Sequence, residues 1–414
     1  MAAHDPYAAL RVPNFRRLIL GYGLITVARE AQIVVIGWQI YELTKDPLSL
    51  GMIGLAEALP FIAVALYAGH VADRTNRRAI TLWGTFGLLL SAVALLIFTL
   101  WPSIFEHGGA WPVYAVIFLS GIARSFTRPA LTALSAEVVE RELYPSAVAW
   151  RASTWQFAAI LGPALGGLLY GFSGPVATYS VVVVLMAIAF LTLYLIAHES
   201  RAVPASELSV GESVRTGIRF ILSQQVVLAA MTLDLFSVLF GGATALLPIF
   251  ARILEAGPQG LGMLRAAPAV GSLLMGIYLA HRPPMKRAGI VLLCAVTLFG
   301  LTIIGFALST SFWLSLALLT INGAADDISV VIRSTMIQTM TPESMLGRVS
   351  SVNQIFIGSS NEIGAFESGV AARLMGTVPS VVFGGFMTLV VVAMTAIWSK
   401  QLRRMTTIGS VEST

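Results

Sequence analysis

Charged side chains lie inside several long apolar segments of this chain, and three carboxylates among them could carry protons. Glu30 lies near the middle of the first apolar run, and the adjacent residues Asp326 and Asp327 lie near the middle of another. A charge in hydrocarbon is costly, so an ionisable residue at such a position usually faces a partner or a water-filled cavity. Repulsion between adjacent carboxylates and loss of hydration both favour the neutral acid. These three residues are the predicted proton-coupling groups.

A second set of intramembrane charges predicts a polar substrate cavity. Two of its arginines are four residues apart and therefore share one helix face. The predicted cavity residues are Arg29, Arg124, Arg128, Asp234, Arg333 and Glu362. A simpler interpretation is that some of these charges form permanent ion pairs, Glu30 with Arg124 or Arg128 and Asp327 with Arg333.

The composition indicates a chain built for lipid. Of 414 residues, 57% are hydrophobic and 11% charged, whereas soluble domains carry about 25% charged residues. Apolar runs of about 20 residues, long enough to cross a bilayer, recur along the sequence. About twelve of them nearly exhaust its length. The predicted fold class is an all-α membrane protein with twelve transmembrane helices.

The same composition argues against an enzyme or a metal protein. Cys294 is the only cysteine, so no internal disulfide forms. Clusters of Cys and His with metal-ligand spacing are absent from the sequence, and so is a phosphate-binding Gly-x-x-x-x-Gly-Lys-Ser/Thr loop. We therefore expect no metal, no cofactor and no nucleotide-driven activity. The net charge of +5 is explained by its placement in loops and predicts no nucleic-acid partner.

Hydropathy and charge predict the topology. The helices are predicted at roughly 15–43, 48–72, 79–101, 112–137, 145–171, 175–197, 226–252, 258–281, 287–307, 311–340, 344–375 and 379–399. Lys and Arg concentrate in alternate loops, which places both termini in the cytoplasm. The expected domains are an N-terminal six-helix bundle (1–197), a cytoplasmic linker with an amphipathic helix (198–225), a C-terminal six-helix bundle (226–400) and a cytoplasmic tail (401–414).

The two predicted halves resemble each other. Leu50-Gly51-Met52 recurs as Leu261-Gly262-Met263, and Gly162–Gly167 on the fifth helix corresponds to Gly364–Gly369 on the eleventh. Such correspondences are typical of transporters built from two repeats, whose substrate site lies between the repeats near the bilayer midplane.

A charged loop between the second and third apolar segments carries the clearest family resemblance. Its residues Gly69, Asp73, Arg74, Arg77 and Arg78 resemble the signature loop of the major facilitator superfamily. The resemblance implies a secondary transporter with two parallel six-helix repeats. It also implies a cytoplasmic latch, with Asp73 at the positive N-terminus of the eleventh helix and one of the arginines at Glu137 or Glu140. The alternative is that the positive charges only set the topology.

A small-residue motif on the fifth helix is similar to one that drug antiporters of the superfamily carry there. It consists of Gly162, Pro163, Gly166 and Gly167. Small residues at this spacing permit close helix approach, and proline bends the helix. Close packing alone is an equally good interpretation of the motif.

Within the superfamily, the second half resembles the branch of bacterial enterobactin and macrolide exporters. The carrying residues are 341–349 (TPESMLGRV), 335–340 and 217–222. This resemblance implies export of a siderophore-, macrolide- or drug-like molecule. Together, Arg124, Arg128, Arg151 and Arg333 would suit an anionic or catecholate ligand.

The expected function is therefore export of a small organic molecule across the bacterial inner membrane by proton antiport and alternating access. The partners are the substrate, protons and the bilayer, and we expect a monomer. One alternative is an importer or uniporter of a small nutrient with the same fold. A remote alternative is a transport-inactive membrane sensor.

Overall fold

The protein is helical throughout the part of the chain described. The computed structural model describes residues 5, 7–198, 210–283 and 285–405, and no strand occurs in these ranges. The long helices are α1 (Pro13–Thr44), α2 (Pro47–Arg74), α3 (Arg77–Leu100), α4 (Trp111–Glu137), α5 and α6 (the two parts of Tyr144–Tyr194), α7 (Gln225–Phe240, continued by Leu247–Ile253), α8 (Gly257–Ala280), α9 (Ala288–Leu308), α10 (Phe312–Met340), α11 (Glu343–Met375) and α12 (Thr377–Trp398). Short helices occupy Ala8–Arg11, Ser103–Gly108, Val210–Ser223 and Lys400–Arg403, and 3-10 turns occupy Arg141–Leu143 and Ala243–Leu246.

One glycine separates α5 from α6. Gly174 has φ 78° and ψ 178°, a backbone conformation that costs glycine little and other residues much. Pro175 follows, and proline suits the first turn of a helix because it lacks the N–H that would be unpaired there. Residues 144–173 therefore form α5 and residues 175–194 form α6, as two predicted helices.

The seventh predicted helix, 226–252, corresponds to one apolar segment, Gln225–Ile253, but the helix is interrupted. The helix stops at Phe240, a 3-10 turn spans Ala243–Leu246, and a second helical piece begins at Leu247. Two successive glycines weaken the helix at this point. Pro248 cannot donate a helical hydrogen bond, so the chain restarts there instead of continuing.

The described part of the chain contains twelve long helices, as many as the predicted membrane spans. Among the described residues, nine segments are both long and apolar enough to cross a membrane by composition alone. One of these segments, Arg141–Tyr194, contains both α5 and α6. Helices α4 and α11 are also long enough, but they carry intramembrane charges such as Arg124 and Glu362 that lower their hydropathy.

Contacts divide the chain into two compact units. Unit 1 comprises Met1–Thr44, Ala56–Glu207 and Gly257–Ala266, and unit 2 comprises Lys45–Leu55, Leu208–Ala256 and Ala267–Thr414. The first residues of α2 and of α8 thus each belong to a different unit from the rest of their helix. The predicted separation at 197 and 226 into six helices and six remains a prediction.

In unit 1, α1 packs against α5 and α6. A Cβ on Gly21 would lie 2.8 Å from Leu193 of α6, so glycine is needed for this approach. Phe15, Leu18 and Met186 are buried in the same apolar cluster. In the same unit, Gly84 of α3 lies against Thr127 of α4.

In unit 2, α9 packs against α10 and α12. Asn322 of α10 is buried and donates to the Phe299 carbonyl at 3.1 Å and to Thr302 Oγ1 at 3.0 Å. Gly300 of α9 approaches the Gly385 carbonyl of α12, where an added Cβ would stand 3.1 Å away. Polar and small residues are the usual means of joining helices in lipid, where apolar side chains gain little by leaving the bilayer.

The linker does contain a helix, Val210–Ser223. Its Ile221 is buried with Val349 and Val352 of α11. Gly217 allows this contact, since a Cβ there would meet the Arg348 carbonyl at 3.0 Å. The apolar face of the linker helix thus packs on the start of α11, while Arg215 and Arg219 are exposed.

Candidate transport site

The helix 5 motif brings α5 onto α1 at the predicted proton-coupling residue. A Cβ on Gly162 would lie 2.6 Å from the Glu30 Cβ, and one on Gly166 would lie 2.8 Å from the Ala31 Cα. Pro163 is buried within the same turn. The motif therefore fixes the backbone that carries Glu30.

Glu57 of α2 is the centre of a charged cluster in unit 1. Its carboxylate accepts from Arg29 of α1 at 3.3 Å and forms a salt bridge with Arg124 of α4. The Arg124 guanidinium also lies 6.0 Å from the centre of the Phe61 ring. Because Glu57 and Arg124 are only 16% and 17% exposed, this pair is mostly shielded from solvent and screened less than a surface pair.

Glu30 connects the same cluster to α8. Its Oε1 lies 3.3 Å from Arg29 Nη1, and its Oε2 lies 3.9 Å from Arg265 Nε. The alternative that Glu30 pairs with Arg128 is wrong within the described residues, whereas its pairing with Arg124 remains a prediction. Sequence spacing does not determine how neighbouring helices are rotated, so it could not identify Arg265 of α8 as a partner of Glu30.

Arg128 and Arg151 extend the positive charge of this cluster without a carboxylate of their own. Neither makes a hydrogen bond or salt bridge within the described part of the chain. Arg128, one turn beyond Arg124 on α4, is exposed and lies within electrostatic range of Arg29, Arg124, Arg151 and the Tyr22 hydroxyl. Tyr22 of α1 is half-buried.

A second charged cluster lies in unit 2. Arg333 of α10 forms a salt bridge with Asp234 of α7 and lies 3.4 Å from Ser329 Oγ. Both charged residues are buried, with Arg333 4% and Asp234 9% exposed. The predicted alternative pair of Arg333 with Asp327 is wrong, because Asp234 occupies that position.

Asp326 and Asp327 face different neighbours. Asp326 lies within electrostatic range of Asp234 and Arg333. It lines a small cavity together with Asp234, Ser237 and Ser329. The volume open to the centre of a water molecule there is about 10 Å³. A volume of this size holds about one water molecule. The Asp327 Oδ2 is instead buried without a hydrogen-bond partner, and Gly276 of α8 lies beside it.

Helical geometry explains this divergence. Successive residues on an α-helix project about 100° apart, so two adjacent aspartates cannot both point at Arg333. Glu362, the remaining predicted cavity residue, lies on α11 where its carbonyl faces Gly54 of α2. Among the described residues, no three metal-ligating side chains come together.

The predicted cytoplasmic latch is described in part. Arg77 donates to Glu137 Oε1 at 2.5 Å, and His198 Nε2 lies 3.7 Å from Glu137 Oε2. Arg78 donates instead to the Tyr194 carbonyl at 2.7 Å, where it caps the end of α6. The side chains and surroundings of Gly69, Asp73 and Arg74 lie outside the described residues, so the contact of Asp73 with α11 remains a prediction.

Glycine pairs place α5 against α8 and α2 against α11. A Cβ on Gly167 would lie 2.8 Å from the Gly262 Cα, and one on Gly369 would lie 2.7 Å from the Gly51 Cα. Gly51 and Gly262 occupy the repeated Leu-Gly-Met sequence, and the contacts are equivalent. The repeat seen in sequence thus corresponds to a repeat of backbone contacts.

Sequence reasoning missed Glu57 and Arg265 as site residues. Both are charged residues in apolar segments, so the signal was present. What was missing was their common neighbour: Arg29 contacts Glu57 and Glu30, and Glu30 contacts Arg265.

Comparison with known proteins identifies relatives over nearly the full chain. The enterobactin exporter EntS of Escherichia coli O1:K1 is 26% identical over 401 residues, covering 95% of this chain and 93% of the exporter. EntS of Shigella flexneri is 27% identical over 402 residues with the same coverage.

Solved transporter structures share the fold. A point mutant of the nucleoside transporter NupG has a TM-score of 0.74 at 12% identity, covering 94% of this chain and 100% of that one. A POT family transporter in complex with 5-aminolevulinic acid has a TM-score of 0.72 at 11% identity, covering 94% of this chain and 96% of that one. At such identities the likeness concerns the fold alone.

The family model for transmembrane secretion effectors matches residues 4–413. This match covers every helix described above, and the relatives and structural neighbours are transporters. The chain therefore belongs to the transmembrane secretion effector family of the major facilitator superfamily, whose members are multi-pass membrane transporters of small molecules.

Proposed function

We propose that this protein exports a small organic molecule, siderophore-, macrolide- or drug-like, across the bacterial inner membrane by proton antiport and alternating access. It acts as a monomer with both termini in the cytoplasm, and a six-helix bundle lies on each side of the linker. Likeness to enterobactin exporters over the whole chain supports export and an organic substrate.

The observation that carries the antiport proposal is the surroundings of Asp326. This carboxylate lines a cavity of about one water and shares one arginine, Arg333, with Asp234. Two carboxylates, Asp326 and Asp234, and a single guanidinium leave more acid than base at this place. A group of this kind can take up a proton when water reaches it from one side and release the proton when water reaches it from the other.

Glu30 is the second proton-coupling candidate. Its two carboxylate oxygens lie 3.3 Å from Arg29 and 3.9 Å from Arg265, so arginines of α1 and α8 are already placed against it. We therefore rank Asp326 ahead of Glu30 and assign Glu30 to holding the arginines of α1 and α8 in place.

The test uses purified protein in liposomes with a trapped pH-sensitive dye and an imposed pH gradient. Siderophores, macrolides and cationic drugs are added one at a time. We expect substrate-dependent proton flux that Asp326→Asn abolishes and that Glu142→Gln, an exposed cytoplasmic control, preserves.

Two results contradict this proposal. Substrate movement without proton flux identifies a uniporter, and inward movement of the substrate identifies an importer. Proton flux that persists in Asp326→Asn and disappears in Asp327→Asn or Glu30→Gln transfers the coupling role to that residue.

A further inference from the structure

Positive charge exceeds negative charge in the intramembrane cluster of unit 1. Five arginines, on α1, α4, α5 and α8, accompany two glutamates. Glu57 holds Arg29 and Arg124, and Glu30 holds Arg29 and Arg265. The two glutamates are fully engaged, so two arginines remain without a carboxylate.

Those two arginines are Arg128 and Arg151. Within the described residues, neither has a hydrogen bond or an ion pair. Arg128 experiences repulsion from Arg29, Arg124 and Arg151 at once. Holding unpaired cations close together is unfavourable, and this cost is removed when an anion binds between them.

The local chemistry fits an oxyanion. Guanidinium groups bind oxyanions such as carboxylates by paired, charge-assisted hydrogen bonds. The Tyr22 hydroxyl supplies a further donor. A Cβ on the next residue, Gly23, would lie 3.0 Å from Thr154 Cγ2, one turn beyond Arg151 on α5, and the hydroxyl is within electrostatic range of Arg128 and Arg151. Arg128 is exposed despite its position within α4, so a ligand can reach it.

We infer that Arg128, Arg151 and Tyr22 form a binding site for the oxyanion of an organic anion, and that this anion is the class of molecule the protein transports. The inference rests on the proposed transport function and narrows it. Cationic drugs and cationic macrolides are excluded as substrates of this site, because the arginines repel them.

Binding without a proton gradient tests the site separately from transport. The full chain is placed in lipid nanodiscs and titrated calorimetrically with 2-naphthoate and with 2-naphthamide, an uncharged molecule of nearly the same shape. We expect naphthoate to bind at least tenfold more tightly than naphthamide. Arg128→Gln should weaken naphthoate at least tenfold and leave naphthamide unchanged.

Three controls separate this site from a folding defect or general charge. Arg219→Gln removes an exposed arginine of the linker helix and should leave both affinities unchanged. Arg128→Lys retains the charge and should restore part of the naphthoate affinity. If Arg128→Gln does not fold, Arg151→Gln provides the same test on α5.

A second readout needs no ligand. Since Arg128 is surrounded by other cations, Arg128→Gln should unfold at the same or a higher temperature than the unmodified protein. Equal affinity for naphthoate and naphthamide, no binding of either, or an unchanged preference in Arg128→Gln and Arg151→Gln would overturn the site. A naphthoate preference without substrate-dependent proton flux would keep the site and reject antiport. Substrate-dependent proton flux without a naphthoate preference would reject the site alone.

Discussion

The salt bridge between Asp234 and Arg333 offers the sharpest test of the structure. Asp234→Asn keeps the side-chain volume and removes the charge opposite Arg333, which is 4% exposed. Breaking a buried ion pair on one side costs about 3–5 kcal/mol, because the remaining charge is left buried without a partner. Asp326 lies within range of the same arginine and compensates in part, so we expect a loss of about 3 kcal/mol.

Removing both charges should recover much of this stability. In Asp234→Asn/Arg333→Gln neither residue of the pair carries a charge, and a buried pair replaced on both sides is often close to neutral. The double variant should therefore be more stable than the Asp234→Asn single variant. Arg373→Gln serves as the matched control, because its partner Asp46 lies at 3.5 Å in an exposed pair, and it should change stability by less than about 1 kcal/mol.

The assay is unfolding of the purified protein in mixed micelles, followed by loss of helical circular dichroism as the denaturing detergent fraction increases. The order of stability decides the question. If Asp234→Asn unfolds like the unmodified protein, or if the double variant is no better than the single one, Arg333 does not depend on Asp234 and the assigned pairing is incorrect.

Four further substitutions test the packing and the contact between Arg77 and Glu137. Gly167→Leu should cost about 1–3 kcal/mol of stability by overpacking against the α8 backbone. Gly347→Ala should stabilise its helix by about 0.5–1 kcal/mol, because a Cβ at this position would meet nothing within 4 Å. The same unfolding assay compares the two variants. Asn322→Ala should cost about 1–3 kcal/mol because it leaves an α9 carbonyl and hydroxyl unpaired, and a neutral result would refute that role. Glu137→Gln should raise amide hydrogen exchange in the first turn of α3, because it removes the carboxylate that Arg77 contacts. Glu142→Gln should leave this exchange unchanged. Equal exchange in the two variants would show that the Glu137 carboxylate does not hold α3.

Much of the fold could be predicted from the sequence because each lipid-crossing helix is specified locally. A run of apolar residues, a flanking arginine or proline and an occasional glycine define where a helix lies. The observed start of α11 at Glu343 is within one residue of the prediction. The interruption after Phe240 was missed because two glycines can also continue a buried helix, and only the packed structure decides between these outcomes.

The charged residues could be predicted as a set, but their partners could not. A sequence shows that Arg333 and Asp327 are on one helix, yet pairing depends on the rotation of that helix relative to α7. Glu57 was overlooked for the same reason: its importance comes from two arginines on α1 and α4 that meet it in space. Pairing between helices is a tertiary property, and charge placement alone leaves it open.

The glycine pairs have a mechanical consequence. Where Gly167 meets Gly262 and Gly51 meets Gly369, backbone touches backbone without interlocking side chains. Separating such surfaces requires no side-chain rotamer to change at the glycines, because no side chain there is inserted into the neighbouring helix. In lipid the exposed glycines lose mainly short-range dispersion contacts. Little side-chain rearrangement is therefore needed for these helices to separate and return. A single methyl group at either contact would hold the two backbones apart.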